Sequence, residues 1–214
     1  FAARSPRKRV VTTTVEHSAT KALCRVLAGE GAEIVTIGVE ELGRLDMDAL
    51  GGAGTEGEAH ALLAAHDAIL FGAVGADPRG NAQIPQGLIE TDILLKMRFE
   101  LDQYVNLRPT RLLPGVPTPL ANVQPGDIDM VIVRENTEGL YCQNGGFLYK
   151  GTPHEVANQI EVTTRHGVER AIRYAFEYAK QYNRKKVTLV AKTNVLRFAH
   201  NLWMRAFEEV KKEY

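Results

Sequence analysis

Short apolar or β-branched runs that alternate with helical patterns constrain the fold of this chain more than any other feature of its sequence. The clearest run is 68–74, AILFGAV, which no polar residue interrupts. A strand has this composition when both of its faces are buried. Further strands are predicted at 9–15, 33–39, 128–133 and 186–191. Together these runs predict an α/β protein in which helices cover a parallel or mixed sheet.

Helices are predicted between these strands, because apolar residues recur there at helical spacing. The predicted helices are 17–27, 58–66, 89–104, 165–182 and 198–214. The proline-rich segment 109–125 is predicted to be a connection without regular structure. Residues 141–162 are typical of a β-hairpin, with a type I′ turn at 143–146. Such a hairpin is marginal alone, so we expect it to pair with a second chain or to lie on the domain.

Charge and cysteine usage exclude several classes of partner. Lys plus Arg and Asp plus Glu both number 26, which indicates neither nucleic acid nor an acidic membrane face as a partner. No apolar run approaches the ~20 residues that span a bilayer. Cys24 and Cys142 lie far apart and the six histidines show no metal spacing. This pattern favours a reducing, cytoplasmic compartment and predicts no metal site within the chain itself.

Polar and glycine residues follow the predicted strands, where open α/β sheets bind ligands. Arg134 comes directly after 128–133, Lys192 directly after 186–191, and the run 68–74 ends at Gly75. An Arg or Lys at a strand end can also be a helix cap or one half of an ion pair. Because a polar residue or a glycine follows each of several predicted strands, the sequence favours a binding site.

Three arginines, Arg98, Arg108 and Arg134, suit an acidic ligand. The planar guanidinium of arginine grips a carboxylate with two hydrogen bonds, so converging arginines fit a small acid with two or three carboxylates. Tyr141 and Lys192 are placed to supply proton transfers. The alternative is that each arginine, taken alone, is a surface ion-pair residue.

Three segments carry a resemblance to a known family: LLKMRFELDQYVNLRP, VIVRENTEGLY and VAKTNVL. They resemble the isocitrate/isopropylmalate dehydrogenase family, the NAD(P)- and metal-dependent β-decarboxylating dehydrogenases, and look closest to its tartrate/D-malate dehydrogenase-like branch. The resemblance covers roughly 61–214. It implies an isopropylmalate dehydrogenase-like fold with two domains. Residues 1–98 would begin the large dinucleotide-binding domain, and 99–214 would form the small substrate-binding and dimerisation domain, with the arm 141–162.

The resemblance also implies roles for individual residues. Arg98, Arg108 and Arg134 match the arginines that hold the substrate carboxylates. Tyr141 matches the acid that protonates the enolate after decarboxylation, and Lys192 matches a lysine, donated across the dimer interface, that helps to deprotonate the substrate hydroxyl. Asn194, Gly75 and Thr91 are the residues expected to bind the cofactor.

The expected function is therefore oxidative decarboxylation of a malate-like 2-hydroxy acid, of the D-malate, tartrate, 3-isopropylmalate or isocitrate type. The expected cofactors are NAD or NADP and Mg²⁺ or Mn²⁺, and the expected assembly is a homodimer. Family members are longer, and their metal-binding aspartates are expected beyond Tyr214. The family's GDGIGPE-type opening loop is replaced here by TTVEHS at 13–18. The alternative is a truncated or degenerate relative that serves as a non-catalytic, dimeric binding or assembly module.

Overall fold

The computed structural model describes residues 9–13, 18–37, 63–66, 68–71 and 89–214. The chain divides into two compact units, Phe1–Leu101 and Asp102–Tyr214. The roles predicted for a domain 1–98 and a domain 99–214 stay predictions. Among the described helices, none is both long enough and apolar enough to cross a membrane.

The first unit begins with a β-α-β unit, as predicted. Strand β1 (Arg9–Thr13) and strand β2 (Glu33–Ile37) pair in parallel, with Arg9 opposite Glu33. Helix α1 (Ser18–Gly29) makes the crossover that parallel strands need. Gly31, with φ of 90°, ends the helix and lets Ala32 N–H donate to Leu27 O at 2.9 Å. Glycine adopts this left-handed conformation without steric cost.

A small apolar cluster forms the core that the structure describes in the first unit. Leu63 and Met97 are buried, and the partly buried side chains of Val35, Ile69, Phe71 and Leu101 pack against them. Residues 63 and 64 are helical and Ile69 forms a β-bridge, whereas 58–62 and 72–74 of the predicted helix and strand lie outside the described residues. Ile69 and Phe71 are partly buried, whereas the apolar run predicts a strand buried on both faces.

The helix predicted at 89–104 ends early. Residues Ile89–Leu95 are π-helical, and helix α2 (Lys96–Glu100) continues them. Asp102 takes a left-handed conformation, with φ of 44°, which stops the helix. Aspartate is one of the few residues with a side chain that tolerate this region. The prediction was wrong for 101–104, because helical spacing alone does not reveal such a stop.

In the second unit, strand β3 (Val105–Arg111) pairs antiparallel with strand β4 (Asp129–Glu135). The sequence did not predict β3, because Pro109 cannot donate to a ladder and reads as a strand breaker. Proline is tolerated on an edge strand, and Pro109 stands in register with Val131. An apolar run such as 128–133 is expected to form a buried strand, yet Met130 and Ile132 of β4 are 51% and 46% exposed.

Helix α3 (Arg165–Gln181) and helix α4 (Ala199–Val210) form the core of the second unit, and both were predicted. Their buried side chains include Val168, Ile172, Ala206 and Val210. Full burial of one valine or isoleucine side chain stabilises a fold by roughly 1.5–3 kcal/mol. A 3₁₀ turn, Lys211–Glu213, follows α4.

The strand predicted at 186–191 is absent: these residues, all of them described, form no strand, and Val190 is 89% exposed. An apolar run makes a strand only where a neighbour completes its hydrogen-bond ladder, and no described strand pairs with this run. Lys192 therefore follows an irregular segment rather than a strand, which corrects the argument that placed it at a strand end.

The predicted hairpin exists, with its turn in another place. Strands β5 (Gly145–Leu148) and β6 (Val156–Gln159) pair antiparallel, and all of their residues are exposed. The type I′ turn predicted at 143–146 was wrong, because Gly145 and Gly146 belong to β5. The chain reverses over 149–155 instead, where Thr152 Oγ1 donates to Tyr149 O at 2.8 Å and Gly151 N–H to Glu155 Oε2 at 2.7 Å.

Candidate active site

The register of β3 and β4 puts two of the predicted arginines on one face. Asn106 stands opposite Arg134, and Arg108 stands opposite Ile132. Because side chains alternate between the faces of a strand, all four belong to the same face. Arg108 and Arg134 are diagonal neighbours, whose Cα atoms are typically about 7–8 Å apart. Two long guanidinium side chains at that spacing reach a common anion.

This face is open, whereas the opposite face meets helix α3. On the opposite face, Asp129 accepts a hydrogen bond from Arg184 at 2.9 Å, and Glu135 lies 3.9 Å from Arg170. Both arginines come from α3 or the residues just after it. On the face of Arg108 and Arg134, the intervening Ile132 is half exposed. A ligand can therefore approach the two arginines.

Arg108 is held by a chain of amides. Its Nε donates to Asn106 Oδ1 at 2.9 Å, and Asn106 Nδ2 donates to Asn136 Oδ1 at 3.5 Å. Asn136 is buried and donates through Nδ2 to Gln103 O at 2.9 Å. A guanidinium has several N–H donors, so this bond orients Arg108 and leaves others for a carboxylate.

Arg134 and Tyr141 are in direct contact. The guanidinium carbon of Arg134 lies 5.0 Å from the centre of the Tyr141 ring, within the range of a cation–π interaction. Tyr141 belongs to the 3₁₀ turn Leu140–Cys142 and is 49% exposed. Gly139, with φ of 83°, turns the chain into that element. The contact places the proposed proton donor beside a proposed carboxylate-binding group.

Carboxylates shape the turn between Arg134 and Tyr141. Glu135 accepts hydrogen bonds from Thr137 N–H and Thr137 Oγ1, at 3.0 and 2.6 Å, and from Glu138 N–H at 2.7 Å. Burial, together with Glu138 and Glu135, raises the pKa of the Cys142 thiol. A protonated thiol is a poor nucleophile, so Cys142 is not suited to covalent catalysis.

Lys192 begins the turn that leads into α4. Its N–H donates to His200 Nδ1 at 2.6 Å, and its carbonyl accepts from Leu196 N–H at 2.9 Å. The Lys192 and Asn194 side chains are exposed, and neither makes a side-chain hydrogen bond or ion pair within the described part of the chain. The structure therefore does not join these two residues to the pair formed by Arg134 and Tyr141.

The remaining predicted site residues belong to the first unit. Arg98 lies in α2 and is 9% exposed. Thr91 is half buried in the π-helical segment. Gly75 lies outside the described residues. Among those described, no group of three His, Cys, Asp or Glu side chains is able to ligate a metal ion.

The sequence assigned no orienting role to the residues around the arginines. The hydrogen bonds of β3, β4 and the turn after β4 involve Asn106, Glu135, Asn136, Thr137, Glu138 and Arg170. One signal was available: Asn106 stands two residues before Arg108 and so shares its face of a strand. No local signal pointed to Arg170, which is distant in sequence.

Residues 13–214 match the family model described as isocitrate/isopropylmalate dehydrogenase. The chain belongs to this family. A 3-isopropylmalate dehydrogenase from Corynebacterium kroppenstedtii is 50% identical over 204 residues, which are 95% of this chain and 57% of that protein. One from Clavibacter sepedonicus is 58% identical over 154 residues, or 72% of this chain and 42% of that protein. The chain thus spans about half the length of the curated relatives it matches.

Solved structures agree with this family assignment. An isocitrate dehydrogenase from Methylococcus capsulatus has a TM-score of 0.72 at 29% identity, over 96% of this chain and 57% of that one. A protein from Thermus thermophilus has a TM-score of 0.69 at 26% identity, over 97% of this chain and 39% of that one. The predicted family and its α/β, isopropylmalate dehydrogenase-like fold are confirmed. The nearness to the tartrate/D-malate branch stays a prediction.

Proposed function

We propose that this chain contributes the substrate-binding half of the active site of a dehydrogenase that oxidises and decarboxylates a malate-like 2-hydroxy acid. The observation that carries the proposal is the open face of β3 and β4, on which Arg108 and Arg134 lie together with Tyr141 against Arg134. The relatives are named 3-isopropylmalate dehydrogenase, so 3-isopropylmalate is the first substrate to test. D-malate, tartrate and isocitrate share its hydroxyl on C2 and its carboxylate on C3.

Arg108 and Arg134 would each bind a carboxylate of the acid. A charged, two-point hydrogen bond is about twice as strong as a neutral one, and its fork geometry fixes the orientation of the substrate. Asn106 holds one edge of Arg108, so the guanidinium is oriented before the substrate arrives. Less conformational freedom is then lost on binding. The resemblance assigns the same role to Arg98.

Tyr141 would return a proton to the substrate carbon that loses the β-carboxylate. A phenol O–H is able to donate a hydrogen bond. The contact with Arg134 would hold the ring beside a carboxylate bound by that arginine, within reach of the substrate carbon that needs the proton. General acid help of this kind contributes about 10²–10⁴ in rate.

Lys192 would act on the hydroxyl of a substrate held by the partner subunit. Its exposed side chain, at the start of the turn before α4, is available to a second chain. NAD, when bound, would accept the hydride from C2, with Asn194, Gly75 and Thr91 as the residues expected to bind it. Mg²⁺ or Mn²⁺ belongs to the proposal through the family's aspartates, which the resemblance places beyond Tyr214.

The hairpin of β5 and β6 supports a homodimer. Phe147 and Leu148 on β5 are 56% and 59% exposed, and Val156 on β6 is 47% exposed. An isolated two-stranded hairpin is marginally stable in water, so pairing with the same hairpin of a second chain would stabilise it. Light scattering should give twice the chain mass for the wild type and a lower mass for Leu148→Lys. A wild type that is monomeric at micromolar concentration would count against the dimer.

The test of the proposed function is the formation of NADH by the full-length gene product. We expect Mn²⁺-dependent absorbance of NADH with 3-isopropylmalate or another acid of the same class, and release of CO₂ in equal amount. Arg134→Lys should lower kcat/KM, whereas Arg111→Lys, an arginine of β3 on the other face, should not. Formation of neither NADH from NAD nor NADPH from NADP with any of the four acids would refute the enzyme and leave the non-catalytic binding module as the interpretation of this fold.

A further inference from the structure

Arg170 of α3 joins segments that are far apart in sequence. Its NH1 donates to Asp102 Oδ1 and Oδ2 at 2.8 and 2.9 Å, and its NH2 donates to Thr137 Oγ1 at 2.7 Å. Its guanidinium carbon also lies 4.6 Å from the centre of the Tyr104 ring. The Arg170 side chain is 20% exposed and that of Asp102 is 65% exposed, so water reaches the pair with Asp102 and competes less for the part-buried bond to Thr137. One side chain thus ties the chain before β3 to the turn after β4.

The turn after β4 is built on the carboxylate of Glu135, which is 8% exposed. That carboxylate accepts from Thr137 N–H and Oγ1 and from Glu138 N–H. A buried carboxylate needs such partners, because an unpaired charge away from water is costly. Arg170 donates to the same hydroxyl of Thr137 and lies 3.9 Å from Glu135, so it supplies the opposite charge.

The other end of the turn is fixed to the first turn of α3. Glu138 Oε2 accepts from Thr164 N–H at 2.8 Å and Glu138 Oε1 from Thr164 Oγ1 at 2.5 Å. A carboxylate is favoured there by the N–H groups and dipole of the helix N-terminus. Gly167 leaves the room for it, since a Cβ at that position would lie 2.5 Å from both carboxylate oxygens of Glu138.

We propose that Arg170 is a positioning residue, which acts through Thr137 and Glu135 to hold Arg134 and Tyr141 in their productive relation. The proposal rests on the proposed function for its catalytic meaning. Arg134 precedes the turn directly and Tyr141 follows it, so any shift of the turn changes the distance between them. Helix α3 is the rigid support, because its buried face carries the core of the unit.

The first experiment compares Arg170→Lys with Arg173→Lys in the full-length gene product. Lysine keeps the charge but cannot form the fork. Arg173 is the matched control, since it lies one turn further along α3 and forks onto Glu213, away from the turn. Hydrogen exchange of the Thr137 and Glu138 amides should accelerate roughly tenfold or more in Arg170→Lys alone, the scale of a lost charged hydrogen bond.

Kinetics of the same variants test the positioning. Displacement of a catalytic group by about 1 Å can cost about 10²-fold in rate. We expect Arg170→Lys to lower kcat/KM by roughly 10- to 100-fold, through kcat as well as KM, and Arg173→Lys to leave it unchanged. In a Tyr141→Phe background the loss in kcat should largely disappear, since residues that act through one another are not additive. Full additivity would mean a merely structural role and overturn the proposal.

Thr137 gives a second pair of variants that does not alter α3. Thr137→Val removes the hydroxyl that Arg170 and Glu135 share, and Thr137→Ser restores it. We expect Thr137→Val to reproduce the effects of Arg170→Lys and Thr137→Ser to behave as wild type. Unchanged exchange in both Arg170→Lys and Thr137→Val would overturn the proposal. A wild type without dehydrogenase activity would refute the proposed function instead, while the exchange measurement would still decide whether Arg170 holds the turn.

Discussion

Asn106 connects the guanidinium of Arg108 to the buried amide of Asn136. Asn106→Ala removes that connection and leaves both β3 and β4 in place. A hydrogen bond that involves a charged group contributes about 1.5–3 kcal/mol. In Asn106→Ala the guanidinium of Arg108 is still present, so substrate binding loses only the part of this free energy that comes from orienting the guanidinium. We expect KM for the hydroxy acid to rise about tenfold with kcat nearly unchanged. An unaltered KM would show that Arg108 is oriented without Asn106.

Tyr141 should be needed after hydride transfer rather than before it. Tyr141→Phe removes only the hydroxyl and keeps the ring that Arg134 covers. We expect a first burst of NADH, followed by turnover that is slower by about 10²–10⁴, the usual worth of a general acid. Rapid-mixing kinetics separate the two phases. If Tyr141→Phe turned over at the full rate, Tyr141 would be a packing residue.

The sequence indicates candidate ligand-binding residues better than residues that orient them. Arg134 was proposed because it follows an apolar run, although it lies inside β4 rather than after it. Arg108 was proposed through the resemblance, because Pro109 argued against a strand at that position. Arg170 was not found, because its contacts with Asp102 and Thr137 depend on how α3 packs on β4. Long-range contacts of this kind leave no periodic signal in the sequence.

Ion pairs between α3 and the end of the chain make this element pair sensitive to acid. Arg165 lowers the pKa of Glu209, and Arg173 lowers the pKa of Glu213, through hydrogen bonds to their carboxylates. A lowered pKa in the folded state stabilises the fold above the usual value, 4.5 for both groups, and that stabilisation is lost as the pH falls through the lowered value.

We therefore expect Tm to fall as the pH is lowered from about 5 to about 3, and to fall less steeply in the double variant Glu209→Gln, Glu213→Gln. The control Glu208→Gln alters a carboxylate of α4 that pairs with Lys211 alone, within its own segment. Calorimetric unfolding at several pH values measures how steeply Tm falls with pH. The same pH dependence of Tm in the wild type and the double variant would contradict the role of these two ion pairs.

Helices were predicted more reliably than strands at the scale of elements. The amphipathic spacing of α3 is a property of the segment itself, and its apolar residues Val168 and Ile172 are buried as expected. A strand depends on its neighbour: β3 exists because β4 pairs with it, and 186–191 is irregular although it is apolar. The hairpin turn was predicted at 143–146 and lies at 149–155. Gly145 pairs with Gln159 and Leu148 with Val156, so the turn has to lie between Leu148 and Val156.

At the scale of the whole molecule, the proposed role of Lys192 predicts active sites that are shared between subunits. Lys192→Met and Tyr141→Phe should each be severely impaired alone. In a mixed dimer, the site that contains an intact Tyr141 and receives an intact Lys192 from the other subunit should work. We expect mixing and reassembly of the two variants to restore activity at one of the two sites of each mixed dimer. No recovery after verified subunit exchange would mean that Lys192 does not act across an interface.

Arg108 lies on the open face of β3 and β4, where we propose that the acid binds. Arg108→Lys keeps the charge and loses the fork, whereas Arg111→Lys makes the same change on the same strand but on the opposite face, beside Asp129. The measurement is the affinity of the full-length gene product for 3-isopropylmalate or the acid it oxidises, by titration calorimetry. We expect the free energy of binding to weaken by about 1.5–3 kcal/mol in Arg108→Lys and to stay unchanged in Arg111→Lys. Equal affinities for the two variants would contradict this expectation.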